Sequence, residues 1–370
     1  MTRRIVFLST SIARGGAERQ VVDLAIALRQ RGWSVAVVSM IPPTDHETEL
    51  SDAGVELKSL GMVQGRPTPA ALIRYARFIR QWRPAVVHAH MVHANLLARI
   101  GRLLVPSVPV ISTVHNVVEG RRWRELAYRL TDRLSTATTA VSQAATDRYQ
   151  HVGAVRKGHI VTVPNGVDLS KSTPSPSVRE RVRRALGMEG SFVWINVARL
   201  VPAKGHDLLL HAFVEVANAH ATARLFVAGA GQEMDALSAL ATHLGLGDKV
   251  VLLGERRDVP DLLAAADAFV LSSRWEGMPM VLLEAAAQRL PVVSTDVGGC
   301  HEVVPPDAGA ILTQPEAPEI AQAMLTIMGM DDGQRATIGS RLREHVESAF
   351  DLAHIVTRWE QMYESVIVRR

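Results

Sequence analysis

At 370 residues the chain is longer than one hydrophobic core usually organises, so two domains are expected. Its 47% hydrophobic and 21% charged residues suit a soluble globular protein, and the single cysteine, Cys300, excludes an internal disulfide framework and a zinc ribbon. The net charge of +4 conceals an asymmetry, with 22 Lys and Arg against 11 Asp and Glu through Asn165 and 19 against 26 thereafter, which points to an anionic partner for the first half.

Thr2-Arg3-Arg4 ahead of an apolar run at 5–8 resembles a leader. The run is too short, and Arg14-Gly15-Gly16 follows at once, so a first strand entering a glycine loop is expected instead. No uninterrupted apolar stretch approaches the roughly 18 residues that span a bilayer. Further β-branched runs predict strands at 34–39, 55–58, 85–88, 110–114, 138–141 and 159–163. Between them, helical spacing is found at 17–31, 70–82, 94–104 and 123–135. Strands that alternate with helices imply parallel pairing, right-handed crossovers and a doubly wound α/β sheet.

Pro164-Asn165-Gly166 interrupts the alternation, and the Ser/Pro-rich stretch 170–177 reads as a domain joint. The pattern then restarts, with strands at 192–197, 224–228, 250–253, 268–271 and 292–295. Helices are expected at 205–219, 233–244, 260–265 and 281–288, and the tail, 352–368, is one more amphipathic helix. One fold type is therefore used twice, in domains 1–168 and 169–350, with 351–370 as a closing helix. Open α/β sheets bind ligands at the carboxyl ends of their strands, so chemistry is sought just after each predicted strand.

The densest such segment is Ser273-Arg274-Trp275-Glu276-Gly277-Met278-Pro279-Met280-Val281-Leu282-Leu283-Glu284-Ala285. A strand ends before it, and Pro279 suits the first position of a new helix. Glu276 then stands in the loop and Glu284 inside the helix. The amides of Gly277, Met278, Met280 and Val281 would form the positive helix end, a natural seat for phosphate. Carboxylates suit sugar hydroxyls because each oxygen accepts charge-assisted hydrogen bonds. The same residues also fit a plainer role, with Glu276 capping the helix and Glu284 lying on the surface.

The Glu276-x7-Glu284 spacing, followed by Leu290-Pro291-Val292-Val293-Ser294-Thr295 and Val297-Gly298-Gly299, resembles the signature of the retaining GT4-type glycosyltransferases (group 1). Further matches run in order along the chain. They are Gly15-Gly16-Ala17-Glu18, Val114-His115-Asn116, Ala140-Val141-Ser142, Val163-Pro164-Asn165-Gly166-Val167-Asp168, Val197-Ala198-Arg199-Leu200 with Lys204-Gly205, and Gly229-Ala230-Gly231. The resemblance implies a GT-B fold, two facing Rossmann-like domains with the C-terminal helix crossing back to the first. It also implies transfer of a hexose-type unit from a nucleotide-diphosphate sugar, UDP-linked in preference to GDP-mannose, to a glycan or lipid-linked acceptor in cell-surface polysaccharide or glycolipid synthesis. A sugar-nucleotide epimerase on the same fold and a non-catalytic binding partner are the alternatives. Met278-Pro279 departs from the family's usual Phe-Gly, which bears on sugar identity.

By that resemblance Glu284 holds the nucleotide ribose, Glu276 holds the donor sugar, and Arg199 with Lys204 clamps the pyrophosphate. Two cations there stabilise the leaving diphosphate without a metal. No cofactor and no metal are expected. His115 follows a strand and is the candidate for hydrogen bonding to the sugar or steering a proton. Gly15 and Gly16, like Gly229 and Gly231, either let backbone approach the donor or simply make tight turns. His88, His90 and His93 suggest a metal pattern, but no carboxylate motif joins them.

Two segments mix aromatics with arginines: Tyr75, Phe78 and Trp82 among Arg74, Arg77, Arg80 and Arg83, and Arg121, Arg122, Trp123 and Arg124 with Tyr128, Arg129 and Arg133. Each fits either peripheral contact with an anionic membrane on the acceptor side or a core-facing helix with snorkelling arginines. A cytoplasmic protein at the inner face of the plasma membrane is the expectation, with no nucleic acid, since no recognition motif accompanies the charge. Removal of the tail helix is expected to loosen domain pairing and spare both cores.

Overall fold

The computed structural model describes residues 3–66, 68–118, 120, 122–172 and 175–368. The chain divides into two compact units, Met1–Gly166 with Leu352–Arg370, and Val167–Asp351.

The first unit runs β1 (Arg4–Ser9), α1 (Gly16–Gln30), β2 (Ser34–Ser39), α2 (Glu47–Asp52), β3 (Glu56–Ser59), α3 (Pro69–Trp82), β4 (Val86–His90), α4 (Val92–Gly101), β5 (Val110–Val114), α5 (Arg122–Thr131), β6 (Ala137–Ala140), α6 (Gln143–His151) and β7 (Ile160–Thr162). Among the described residues the sheet is wholly parallel, in the order β3-β2-β1-β4-β5-β6-β7. Helices cover both faces, so its central strands are apolar without interruption. The two-residue period sorts those side chains. Ile5, Phe7, Val35, Val37, Val86 and Ile111 join α1 in one core, whereas Val6, Leu8, Ala36, Val38, Val87 and Ala89 join α3 and α4 in another.

The second unit continues with α7 (Pro176–Ala185), β8 (Phe192–Val197), α8 (His206–Ala219), β9 (Ala223–Ala228), α9 (Met234–His243), β10 (Val250–Gly254), α10 (Val259–Ala265), β11 (Ala268–Leu271), α11 (Met280–Ala287), β12 (Val292–Thr295), α12 (Cys300–Val303), β13 (Ile311–Thr313), α13 (Ala317–Gly329) and α14 (Asp332–Phe350). Its parallel strands are ordered β10-β9-β8-β11-β12-β13. In both sheets the order reverses beside the first strand, between β1 and β4 and between β8 and β11, and such a reversal opens the crevice where these sheets take ligands.

Within the stretch 170–177 expected as a joint, Pro176 opens α7 with its preset φ. The helix expected over 123–135 ends at Thr131 and tightens into a 3₁₀ turn at Asp132–Leu134. Sequence periodicity also missed β13, α13 and α14. The apolar stripe of α14 is sparse, with Leu342, Val346 and Phe350 buried, and its start is fixed by a capping box between Asp331 and Gln334.

The last helix, α15 (Leu352–Val368), belongs to the first unit. Ile355, Val356, Trp359, Tyr363 and Val366 share one helical face and lie in the same core as Ile5 and α1. The expectation that its loss would spare both cores is therefore corrected, since Trp359 and Tyr363 are core residues of the first sheet.

Candidate functional site

In the second unit the loops after β8 and β11 flank the strand-order reversal. The β8 loop carries Arg199. Leu200 N donates to Ala230 O at 2.9 Å and Ala198 N to Ala228 O at 3.0 Å, so this loop is zipped to the one after β9. A Cβ on Gly229 would lie 1.9 Å from Ala198 O, and one on Gly231 would lie 2.1 Å from Leu200 O. Close packing of two backbones accounts for both glycines. They set the course of the Arg199 loop. Arg199 itself is exposed, and no described residue pairs with its guanidinium.

After a 3₁₀ turn at Pro202–Lys204, Gly205 takes φ 59° to enter α8. Ser272 Oγ donates to Lys204 O at 3.0 Å, Arg274 N donates to Ala203 O at 2.8 Å, and Arg274 grips Asp207 through both terminal nitrogens. These bonds clamp the turn against the loop after β11, where a Cβ on Gly205 would meet Ser272 O at 2.1 Å. On the other side, Gly298 (φ 60°) lies so close that its Cβ would be 2.1 Å from Glu276 O.

The clamp brings Lys204 Nζ to Glu276 Oε1 at 2.5 Å, and Ser273 Oγ donates to the same oxygen at 2.6 Å. Glu276 is buried apart from 8% of its surface, and no described residue takes Oε2. The capping alternative for Glu276 does not hold. Pro279, expected at the first helical position, is instead the N-cap of α11 and offers no side-chain bond, because its ψ of 112° keeps it outside the helix. Gly277, Met278, Pro279 and Met280 are buried, and in the first turn of α11 Leu282 N donates to Pro279 O at 3.1 Å, while the amides of Met280 and Val281 have no acceptor within the helix. Val281 and Glu284 are half-buried on α11. Beneath this loop, burial and the Glu276 carboxylate push the Cys300 thiol up to about 12, leaving it inert.

In the first unit, Gly15 is the extended N-cap of α1 and Gly16 its first residue. A Cβ on Gly15 would crowd the Glu18 carboxylate, which accepts from Ser11 Oγ at 2.7 Å. His115 follows β5, with 7% of its surface exposed, and burial pulls its imidazole down to about 4. His90 at the end of β4 lies against it, Nδ1 to Nε2 at 2.9 Å. The metal pattern does not assemble: both ring nitrogens of His88 are engaged, with Tyr363 Oη at 2.7 Å and Thr113 Oγ1 at 2.6 Å, while His93 is exposed on α4. Among the described residues no three His, Cys, Asp or Glu side chains are placed to hold a metal ion.

The two aromatic–arginine segments separate. Tyr75 is fully buried, and Phe78 and Trp82 pack on the core, so α3 takes the core-facing alternative. On α5, Trp123, Leu126 and Leu130 are exposed at i, i+3 and i+7, with Arg124 half-buried over Trp123 and Arg129 and Arg133 exposed. Arg122 opens α5, and Arg121 lies outside the described residues.

A family model described as Glycosyltransferase Family 4 matches residues 14–171, and one described as Glycosyl transferases group 1 matches residues 178–345. The chain belongs to the GT4-type glycosyltransferases, with the GT-B fold.

Among solved structures, this glycosyltransferase is similar to Anabaena HepE in complex with UDP-glucose, at 26% identity and a TM-score of 0.86 over 98% of this chain and 99% of that one. Among curated relatives, it is 26% identical to the Escherichia coli UDP-Gal:alpha-D-GlcNAc-diphosphoundecaprenol alpha-1,3-galactosyltransferase, over 81% of this chain and 80% of the relative. It is 32% identical, over 55% of this chain and 53% of the relative, to a GDP-mannose-dependent monoacylated alpha-(1-6)-phosphatidylinositol monomannoside mannosyltransferase of Corynebacterium glutamicum. As a family member it acts on nucleotide-sugar donors in glycan, lipid-linked or glycolipid synthesis. No described helix is long and apolar enough to cross a membrane.

Sequence reading of this glycosyltransferase included Ser273, Gly205 and Gly298 in its motifs but assigned them no role of their own. Ser273 sits three residues before Glu276, a spacing visible in the chain. The demands on Gly205 and Gly298 come from loops distant in sequence, which no local pattern encodes.

Proposed function

We propose that this chain is a retaining, metal-independent hexosyltransferase that takes a UDP-sugar in preference to GDP-mannose and delivers the sugar to a lipid-linked or glycan acceptor. The observation that carries the donor site is the clamp at the β8–β11 reversal. There Arg199, unpaired among the described residues, and a Lys204–Glu276 pair stand at the carboxyl ends of adjacent strands, with the amino end of α11 after them. In this reading Arg199, Lys204 and the α11 amino end hold the diphosphate and stabilise it as it leaves, which dispenses with a metal or other cofactor. Glu276 accepts a sugar hydroxyl on Oε2, and Glu284 accepts from the ribose. His115, uncharged above about pH 4, acts on a sugar oxygen as a hydrogen-bonding group. The UDP and UDP-sugar relatives support the choice of base.

In this reading the apolar stripe of α5 and its arginines contact an anionic membrane, and the enzyme works at the cytoplasmic face of the plasma membrane near a lipid-linked acceptor; the exposed Trp123, Leu126 and Leu130 support it. A panel of UDP- and GDP-sugars tests the donor reading, first by thermal shift and then by release of the diphosphate. Stabilisation and turnover with a UDP-hexose are expected; a response confined to GDP-mannose overturns the base, and turnover with inversion at the anomeric carbon overturns the retaining chemistry.

A further inference from the structure

His115 has two ring nitrogens, and the structure distinguishes them. Nε2 is occupied by His90 Nδ1 at 2.9 Å. Nδ1 has no partner among the described residues and is not among the buried unpaired atoms, so it is the edge left open. A bond between two neutral imidazoles has one donor and one acceptor, and the choice fixes both tautomers.

His90 decides which. It is fully enclosed, with Phe7 and His88 rings beside it, and its Nε2 is buried without a partner. Were the proton on that nitrogen, an N–H donor would be orphaned in the core, which folded proteins tolerate less readily than an unmet acceptor. His90 therefore carries its proton on Nδ1 and donates it to His115 Nε2. His115 must then hold its own proton on Nδ1.

The backbone keeps this pair in place. His90 is registered against Thr113 across β4 and β5. The next residue, Met91, takes φ 71° and ψ 156°, a region that favours glycine, and it is pinned by its N–H to Thr113 O. Asn95 Nδ2 donates to the same carbonyl at 2.7 Å. Met91 O also accepts from Asn95 N at 2.9 Å, so a strained non-glycine residue is held by two partners, Thr113 and Asn95, beside a functional candidate, which fits a geometry that the fold maintains at a cost.

We infer that His90 is a positioning residue that locks His115 as the Nδ1–H tautomer, so that His115 presents a neutral N–H donor, and not a base, to a sugar oxygen. The tautomer assignment stands on its own; its consequence for turnover rests on the proposed role of His115. Long-range ¹H–¹⁵N correlation on the full chain with ¹⁵N-labelled histidine reads the tautomer without any donor, with His115→Gln assigning the signal. Wild type is expected to show His115 protonated at Nδ1 alone. His90→Leu is expected to give a mixture of tautomers and to lower kcat about 100-fold with little change in donor KM. His90→Asn, whose amide nitrogen occupies the place of Nδ1, is expected to restore both. A wild-type His115 protonated at Nε2, or an unmixed tautomer in His90→Leu, overturns the inference. The expected tautomers with full turnover in both His90→Leu and His115→Gln would support the assignment and remove the proposed role of His115 in transfer.

Discussion

At the scale of single residues, the two cations after β8, Arg199 and Lys204, differ in what holds them. Arg199 is exposed and unpaired among the described residues, so the folded unit does not depend on its charge. Arg199→Ala is expected to lower turnover more than about 100-fold, by loss of stabilisation of the leaving diphosphate, while its melting curve overlays that of wild type. Lys204 is the ionic partner of a nearly buried carboxylate. Lys204→Ala leaves Glu276 with Ser273 alone, so it is expected to cost turnover and also about 1–3 kcal/mol of stability in the second unit. Calorimetry and diphosphate release on both variants separate the cases, and a thermally silent Lys204→Ala would show that the pair contributes nothing to the fold. The chain offered Arg199, Lys204 and Glu276 as candidates by residue type and by position after strands, and the structure pairs Lys204 with Glu276. It did not reveal that Gly229 and Gly231 answer to the carbonyls of Ala198 and Leu200, since that demand exists only once two β–α loops meet.

For whole elements, α3 and α5 show what periodicity reports and what it omits. Both mix aromatics with arginines at helical spacing. Gly101 on α4 permits the close approach that buries Tyr75, for a Cβ there would lie 2.4 Å from the Tyr75 ring. Nothing comparable covers Trp123, Leu126 and Leu130, which are 48%, 53% and 73% exposed. The helix beneath them is firmly seated. The fully buried Arg99 of α4 donates to Tyr128 O and to Thr138 Oγ1 and lies over the Tyr128 ring, which ties α5 to α4 and β6. A rigid helix with an open apolar stripe and flanking arginines should therefore enter an anionic interface without remodelling. The full chain is expected to pellet with anionic vesicles and remain in solution with zwitterionic ones. Leu126→Ser with Leu130→Ser should weaken that binding at least about tenfold. Equal pelleting of wild type and double variant would remove α5 from the contact. Sequence alone offered both helices equally, because burial of an amphipathic face is decided by its neighbours.

For the molecule as a whole, the doubled α/β pattern was legible from alternation, whereas the uneven distribution of buried histidines was not. The first unit encloses His88, His90 and His115 and the second encloses His206. Burial lowers all four, to about 4 for His115 and for His206, where Lys204 adds to the effect, and well below the ordinary 6.5 for His88 and His90, where neighbouring imidazoles add to it. The unfolded chain binds protons at these sites near pH 6.5, where the folded units do not, so unfolding takes up protons as the pH falls. The stabilisation is complete above about pH 6.5 and diminishes between 6.5 and about 4; for His115 alone it is on the order of 3 kcal/mol. Three of the four sites act on the first unit, whose core also includes the C-terminal α15 that holds His88 through Tyr363. Scanning calorimetry of the full chain should give a melting temperature that is flat from pH 7 to 8.5. Below pH 6.5 the transition should split, with the first unit melting earlier and His115→Gln narrowing the gap. A melting temperature that does not fall as the pH drops from 6.5 to about 4 would mean that these histidines are not neutral in the folded protein, and the donor tautomer assigned to His115 would fail with it.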